Sequence, residues 1–313
     1  MPSPTSLNSS MNPDVVKAGL DDVFVQEFEV GRGPGVATAE TEAIFHQTTA
    51  TTSAIIEEVF KGTGLWGKKA EEQDVPQSAA RVADKITFTV VDFDQSVDIP
   101  KRFFDDNMHS TYEKMIKDMA ESGRVTKEMN AFEVFRNAFT TSLTADGVTL
   151  VSDSHVTIGG YTVDNKMTAA LDDTSLDDAI VMLGEQKAQD GTIRGMQPAA
   201  LLVPMKLYKK ACEITKSQLR SGTSNNDTNV FSTAYAIEVY TSPYLGTAAG
   251  GSNTAWFLLA RNHSIFRWVR QSVQTVLVDW RTQRNNNYIY KGEFREMVGA
   301  IDYAGIVGST GVA

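Results

Sequence analysis

The sequence has very little cysteine and no long apolar run. Its one cysteine, Cys212, cannot form a disulfide within the chain and cannot build a cysteine-based zinc site, which needs several thiolates. No apolar run approaches the roughly 20 residues of a membrane-spanning helix. The first residues, 1–7, lack the basic start and apolar core of a signal peptide. We therefore expect a soluble protein of a reducing intracellular space, with Cys212 packed in its core.

Positive charge is also scarce. The chain has 29 Lys and Arg against 39 Asp and Glu, which gives a net charge of −10. Tight or sequence-specific binding of nucleic acid depends on neutralising phosphates with Lys and Arg, so this balance argues against a repressor or a polymerase. The four histidines are widely scattered along the sequence, and no local pattern of metal ligands is present.

Catalytic motifs are absent or out of context. The glycines of Gly62–Gly67 match G-x-G-x-x-G, but no helix pattern follows them, so we expect a loop. Asp153, Ser154 and His155 include the residue types of a hydrolase triad, but no nucleophile-elbow motif accompanies them. The sequence predicts no catalytic site, cofactor or metal. The alternative is an enzyme whose site assembles from distant residues, with Asp153 and His155 as candidates.

The N-terminal third predicts an arm followed by a hairpin. Residues 1–50 are polar, and the glycines and proline of Gly31–Gly35 cannot lie inside a helix or central strand, so we expect an extended arm that is ordered by a partner. Strand patterns over Ala54–Phe60 and Ile86–Val97 are joined by a polar tip. An isolated hairpin is marginally stable in water, so we expect it to lie on another surface.

A long helix should follow Pro100, because proline is favoured in the first turn of a helix. Apolar residues then recur at helical spacing: Met108, Tyr112, Met115, Met119, Phe132, Phe135, Phe139 and Leu143. This predicts one very long helix or two nearly collinear helices that end before Asp146. Ser122 and Gly123 predict a break or kink between the two halves.

The remaining sequence predicts a mixed domain and closing strands. Ser175–Asp178 resembles a capping box at the start of a helix, and a buried strand over Ala199–Val203 precedes a second helix that ends near Leu219. Alternating residues over Val273–Trp280 predict a half-buried strand, with further strand character from Tyr288 onward.

The order of these segments resembles the tailed-phage major capsid protein with the Hong Kong 97-like fold, over nearly the whole chain. Asp146 and Gly147 with Ser152–His155 are similar to a pattern of Mu-like head subunits, and Trp256–Ala260 is also similar to the family. The resemblance implies an α+β fold with an N-terminal arm, an extended β-hairpin loop, a peripheral domain with a long spine helix and a β-sheet, and a mixed α/β axial domain. The expected ranges are 1–50 for the arm, 51–98 for the extended loop, 99–170 for the peripheral domain, 171–270 for the axial domain, and 271–313 for the strands that return to both domains.

The resemblance implies a structural protein rather than an enzyme. Copies would form hexamers and pentamers that close into an icosahedral shell around a double-stranded DNA genome, held without sequence-specific contacts. Expected partners are the chain itself and separate scaffolding, portal and decoration proteins, without a membrane. The location would be the virion capsid, assembled in the host cytoplasm. An encapsulin-like nanocompartment shell with an enzyme cargo is the nearest alternative.

The resemblance also places two candidate sites. The hairpin tip should lie across a neighbouring subunit, where Trp66 would be buried as the anchor and the nearby charges would fix the register. The residues of this contact are Trp66, Lys68, Lys69, Glu71 and Glu72. The alternative is that Trp66 packs beneath its own loop. Ser122 and Gly123 are the candidate hinge of the spine helix.

Overall fold

Two β-sheets and one long helix organise the chain in the computed structural model, which describes residues 13–30, 40–69, 71, 74–75, 77, 82–106, 108–219 and 228–312. The helices are α1 (Pro13–Val25), α2 (Glu40–Ile44), α3 (Lys101–Asp105), α4 (His109–Arg136), α5 (Asp173–Glu185), α6 (Tyr208–Lys216) and α7 (Val230–Ala234). The strands are β1 (His46–Thr49), β2 (Ala54–Phe60), β3 (Val82–Thr89), β4 (Val91–Pro100), β5 (His155–Val156), β6 (Thr162–Val163), β7 (Lys166–Met167), β8 (Pro198–Pro204), β9 (Glu238–Ser242), β10 (Trp256–Ala260), β11 (Ile265–Val278), β12 (Asn287–Ala300) and β13 (Ile306–Ser309).

The sheet that contains the longest strands, called the longer sheet below, has the strand order β1-β11-β12-β4. Strand β1 is parallel to β11, and the other pairs are antiparallel. The closing strands that the alternation predicts are present, and β11 and β12 each have 14 residues. The turn between them includes Asn286 with φ 53°, a left-handed conformation that asparagine tolerates. The strand character that the sequence indicates from Tyr288 onward continues through Met297 to Ala300, because the residues after Met297 each pair with β11.

Helix α4 spans 28 residues and connects two cores. Its first half packs Tyr112, Ile116 and Met119 against aromatic residues of β12, while Phe132 and Phe135 contribute to a core with β10. The helix is continuous through Ser122 and Gly123, so the predicted break is not present. It also ends earlier than expected, at Arg136, where tight turns replace the helical pattern: the N–H groups of residues 140–142 all donate to the carbonyl of Asn137.

The second sheet has the order β7-β13-β10-β8-β9 and packs against α5 and α6. The N-cap of α5 is Asp172, not Ser175. The Asp172 carboxylate accepts from the Ser175 backbone N–H at 2.7 Å, and Ser175 Oγ accepts from the Asp172 N–H at 2.8 Å. The predicted capping box is therefore displaced by three residues. Cys212 is half-buried against the core of this sheet.

The arm is not extended where the structure describes it. Helix α1 continues as a π-helix over Gln26–Val30, and Leu20 and Phe24 are buried against the chain's own core. The Asp21 carboxylate accepts from Thr275 Oγ1 at 2.6 Å and from the Tyr290 hydroxyl at 2.8 Å. The expectation of an extended arm is wrong for 13–30 because an apolar stripe at helical spacing finds a docking surface within the same chain. Gly31–Gly35 lies outside the described residues.

The run expected as one strand over Ile86–Val97 is two strands in different sheets. Strand β3 pairs with β2, whereas β4 pairs with β12. Between them the Val90 N–H donates to the Ser53 carbonyl, where the chain passes from one sheet to the other. The alternating pattern is the same in both strands and therefore does not reveal this change of sheet.

Candidate functional site

The predicted hairpin is present and forms a two-stranded sheet of its own. Strands β2 and β3 are antiparallel, with Ala54 opposite Thr89 and Phe60 opposite Val82. At its base Phe88 stacks on Trp268, with ring centroids 4.6 Å apart. Phe88 also lies against Gly299, where an added Cβ would stand 2.0 Å from its ring. The base is thus packed on the longer sheet, which orients the hairpin.

The tip of the hairpin presents apolar side chains to solvent. Trp66 is 97% exposed and Leu65 is 85% exposed, so Trp66 does not pack beneath its own loop. Lys68, Lys69 and Glu71 are exposed beside it, whereas Glu72 lies outside the described residues. Further exposed apolar residues along the hairpin are Ile56, Phe60, Val75 and Val82. Grouped apolar side chains on a projecting element are typical of a surface that binds another protein.

One polar contact joins the hairpin to the second sheet's domain. The Gly64 N–H donates to Asp190 Oδ2 at 3.2 Å. Hydrogen bonds from the Thr192 hydroxyl and N–H, with that from Gly64, lower the pKa of Asp190 and keep it ionised. Gly62 and Gly64 have φ of 80° and 71°, which other residues adopt only with strain. These glycines let the chain turn at the root of the tip.

The candidate hinge lies in a regular part of α4. The Thr126 hydroxyl donates to the Ser122 carbonyl at 2.8 Å, and a Cβ added at Gly123 would stand 3.1 Å from Phe28 Cε2 of the arm. Gly123 therefore gives the arm room to pack on α4. Hinge motion at Ser122 and Gly123 stays a prediction.

The histidine of the triad-like sequence pairs with a residue other than Asp153. His155 is fully buried, and its Nδ1 lies 2.7 Å from Asp146 Oδ2, while Asp153 is exposed. Burial opposes ionisation of Asp146, but hydrogen bonds from His155, Thr144 and Val148 outweigh it and lower the pKa. The ring of Tyr303 covers His155 at 4.5 Å. Asp153 and His155, which the enzyme alternative would use together, are therefore not brought together, and the ring of His155 is buried away from solvent.

A second buried carboxyl lies close to this pair. Burial raises the pKa of Asp302, although hydrogen bonds from Gln189 and the Tyr303 N–H act to lower it.

The chain also brings two histidines together. The rings of His46 and His263 are 4.4 Å apart, and burial together with the charge of His46 lowers the pKa of His263 to about 4. In the part of the chain that the structure describes, no group of three or more metal-ligating side chains occurs. Within the same ranges, no helix is long and apolar enough to cross a membrane.

Comparisons with known proteins agree on one kind of protein. The sequence model of a family described as phage capsid protein matches residues 84–309. No curated protein matches the sequence. Among solved structures, the fold is similar to the virus-like particle from Pyrococcus furiosus, with 11% identity, a TM-score of 0.53, and coverage of 93% of this chain and 98% of that one.

Two further structures share the fold over most of the chain. The capsid of an empty GTA particle is 13% identical with a TM-score of 0.56, and the match covers 97% of this chain and all (100%) of that one. The procapsid of bacteriophage JBD30 is 14% identical with a TM-score of 0.51, over 96% of this chain and 76% of that one. These likenesses confirm the expected α+β capsid fold of the Hong Kong 97 type.

Proposed function

Because the chain belongs to the phage capsid protein family, we propose that its copies form hexamers and pentamers that close into the icosahedral head of a tailed phage or prophage. The observation that carries the proposal is the projecting hairpin, whose residues Leu65 and Trp66 are exposed in the single chain. An exposed tryptophan and leucine at the end of a long hairpin are best explained by burial against another copy.

The hairpin tip is the proposed contact with the neighbouring subunit. Trp66 supplies the apolar area, while Lys68, Lys69, Glu71 and Glu72 fix the register by charge. Exposed ion pairs contribute little affinity but discriminate between registers. The root of the tip, held at Asp190, determines where the tip projects.

The proposed division of the subunit follows the two sheets. The peripheral domain comprises residues 99–170 with α4, and residues 271–313 return to it through β11 and β12 and then to the axial domain. Pairing of β13 with β10 and β7 supports the second part of this division. The axial domain is residues 171–270, the extended loop 51–98 and the arm 1–50.

The proposed role is structural, without catalysis or a cofactor, and its site of action is the virion, after assembly in the host cytoplasm. A net charge of −10 suits a wall that encloses DNA without binding it tightly. Scaffolding, portal and decoration proteins are proposed as separate partners. A nanocompartment shell would have the same walls but a protein cargo, so its contents distinguish it.

Electron microscopy of the purified full chain, with light scattering for mass, tests the proposal. Closed polyhedral particles, or rings of five and six subunits, are expected. Nuclease-resistant DNA inside particles from infected or induced cells would support a phage head, whereas a protein cargo without DNA would indicate a nanocompartment. A small species that persists after a scaffolding protein is added would contradict the shell.

A further inference from the structure

A polar cavity of about 450 Å³ lies between the spine helix α4, the segment Thr41–Gln47, and strands β11 and β12. It is separate from the hairpin tip, and the proposed assembly contact does not use it. Its walls carry three cationic side chains, Arg124, Lys127 and Arg267. Arg267 is hydrogen-bonded to a carboxylate, whereas Arg124 has no hydrogen-bond partner among the described residues.

Arg124 is buried without hydrogen bonds. Only 5% of the residue is exposed, and none of its three guanidinium nitrogens has a hydrogen-bond partner among the described residues. The nearest carboxylate oxygens, of Glu128 and Glu121, lie 3.5 Å and 3.7 Å away and do not form hydrogen bonds. Because a guanidinium has five N–H donors and stays charged, leaving it unpaired in a protein interior is strongly unfavourable.

Two other side chains on the cavity wall, Thr41 and Lys127, are also incompletely paired. The Thr41 hydroxyl is buried and has no hydrogen-bond partner in the described parts of the chain. Burial and the positive charge of Arg267 lower the pKa of Lys127, whose nearest ion-pair partner is Glu42 at 3.9 Å. The Arg267 guanidinium, in contrast, donates two hydrogen bonds to Glu296, with Nε–Oε2 at 2.9 Å and a second, shorter bond from Nη2.

The buried charges do not cancel. Arg124, Lys127 and Arg267 are opposed within the cavity wall by the largely buried carboxylates Glu128 and Glu296. The remaining carboxylates, Glu42 and Glu121, have side chains that are 60% and 57% exposed, so solvent screens them. Among the side chains of the wall that are mostly buried, positive charges therefore exceed negative charges by one.

We propose that this cavity binds an oxyanion, a phosphate or carboxylate group, through the Arg124 guanidinium, with Lys127 as the second charge and the Thr41 hydroxyl as a further donor. The planar fork of an arginine matches the two oxygens of such a group. The anion neutralises the excess charge and accepts hydrogen bonds from donors that have no partner among the described residues. Two sources supply this chemistry: a dissolved anion, or a carboxylate from a second copy of the chain.

The first arm of the test uses the unassembled full chain, so it does not depend on shell formation. Thermal unfolding is followed while inorganic phosphate replaces chloride at constant ionic strength. A dissolved anion as the ligand predicts a saturable rise in Tm for the natural chain. Arg124→Gln should weaken phosphate binding about tenfold or more. Lys117→Gln, an exposed charge change on the same helix, should leave the response unchanged.

Arg124→Gln has a second expected signature. Without phosphate, its Tm should equal or exceed that of the natural chain, because the variant no longer buries a guanidinium that lacks hydrogen bonds. Phosphate should then reverse the order of the two proteins. A phosphate response that is equal in Arg124→Gln and the natural chain would overturn the site.

The second arm covers a carboxylate from a second copy. In that case the free chain does not respond to phosphate beyond chloride, but Arg124→Gln shells dissociate at lower denaturant concentration than natural and Lys117→Gln shells. If neither arm separates Arg124→Gln from Lys117→Gln, the cavity binds no oxyanion. The same conclusion holds if phosphate has no effect and no shells form.

Discussion

At the scale of single residues, the hairpin tip separates folding from assembly. Trp66 is 97% exposed, so Trp66→Ala should change the free energy of unfolding of the single chain by less than about 0.5 kcal/mol. In a contact between copies, the same change should cost about 2 kcal/mol or more at each site. Assembly yield by light scattering, beside chemical unfolding of the free chain, checks both statements. Trp66→Phe should retain part of the assembly, and full assembly of Trp66→Ala would contradict the contact.

The half-buried carboxyls Asp146 and Asp302 offer a matched pair whose pKa values shift in opposite directions. Because hydrogen bonds lower the pKa of Asp146, its contribution is fully present above the unfolded pKa of about 3.9 and is lost as the pH falls through the folded value. Asp146→Asn should therefore destabilise the fold at neutral pH by about 1–3 kcal/mol. Burial raises the pKa of Asp302, so its charge opposes folding at neutral pH, and Asp302→Asn should cost less or stabilise. Urea unfolding at pH 7 and pH 4 measures both, and equal losses would refute the assignment.

Sequence reasoning could not find these pairings. In the sequence, Asp153 lies two residues before His155. In the structure, His155 instead contacts Asp146, which lies nine residues before it, across the turn that follows α4. Arg267 and Glu296 meet only because β11 and β12 pair in a particular register. Residue types indicate which side chains need partners, but loop geometry and strand register select them.

At the scale of elements, Gly123 is the position where the sequence and structure suggest different roles. A hinge predicts that Gly123→Ala stiffens α4, while the contact with Phe28 predicts that the new methyl group displaces the arm. In an open helix, Gly→Ala stabilises by roughly 1 kcal/mol. We expect that gain to appear when Phe28→Ala is also present and to be offset when it is not. A double-mutant cycle of unfolding free energies measures this coupling, with Ser122→Ala as the control.

An absent coupling would remove the steric role, and loss of assembly in both Gly123→Ala variants would then favour the hinge.

The elements themselves were largely predictable from the sequence where one face is apolar, as in α4, β2, β8 and β11. The arm helix was not, because Gly31–Gly35 and the polar composition indicate an extended chain, although Leu20, Phe24 and Phe28 recur at a helical spacing of four residues. A polar composition describes an arm in isolation, whereas its conformation depends on whether a surface of the chain is available to its apolar stripe.

At the scale of the whole molecule, the hairpin is an addition to a body that has its own cores. The large apolar clusters lie along α4, between the two sheets and beneath α5 and α6, and the tip residues Leu65 and Trp66 belong to none of them. In the described part of the hairpin, the base joins a core through Ile55 and Phe88, which pack beside Trp268. Folding and assembly should therefore be separable by shortening this one element.

Replacement of residues 61–81 by Asn-Gly provides that separation. Phe60 and Val82 are paired just beyond a register shift between Val59 and Phe60, so a two-residue turn joins the strands at a pairing that they already make. The shortened chain should keep its circular dichroism spectrum and a cooperative thermal transition close to that of the natural chain. Light scattering should then find no closed shells. Shells of normal mass would show that the tip is dispensable, while a chain that no longer folds would place the tip inside the folding unit, against the exposure of Trp66.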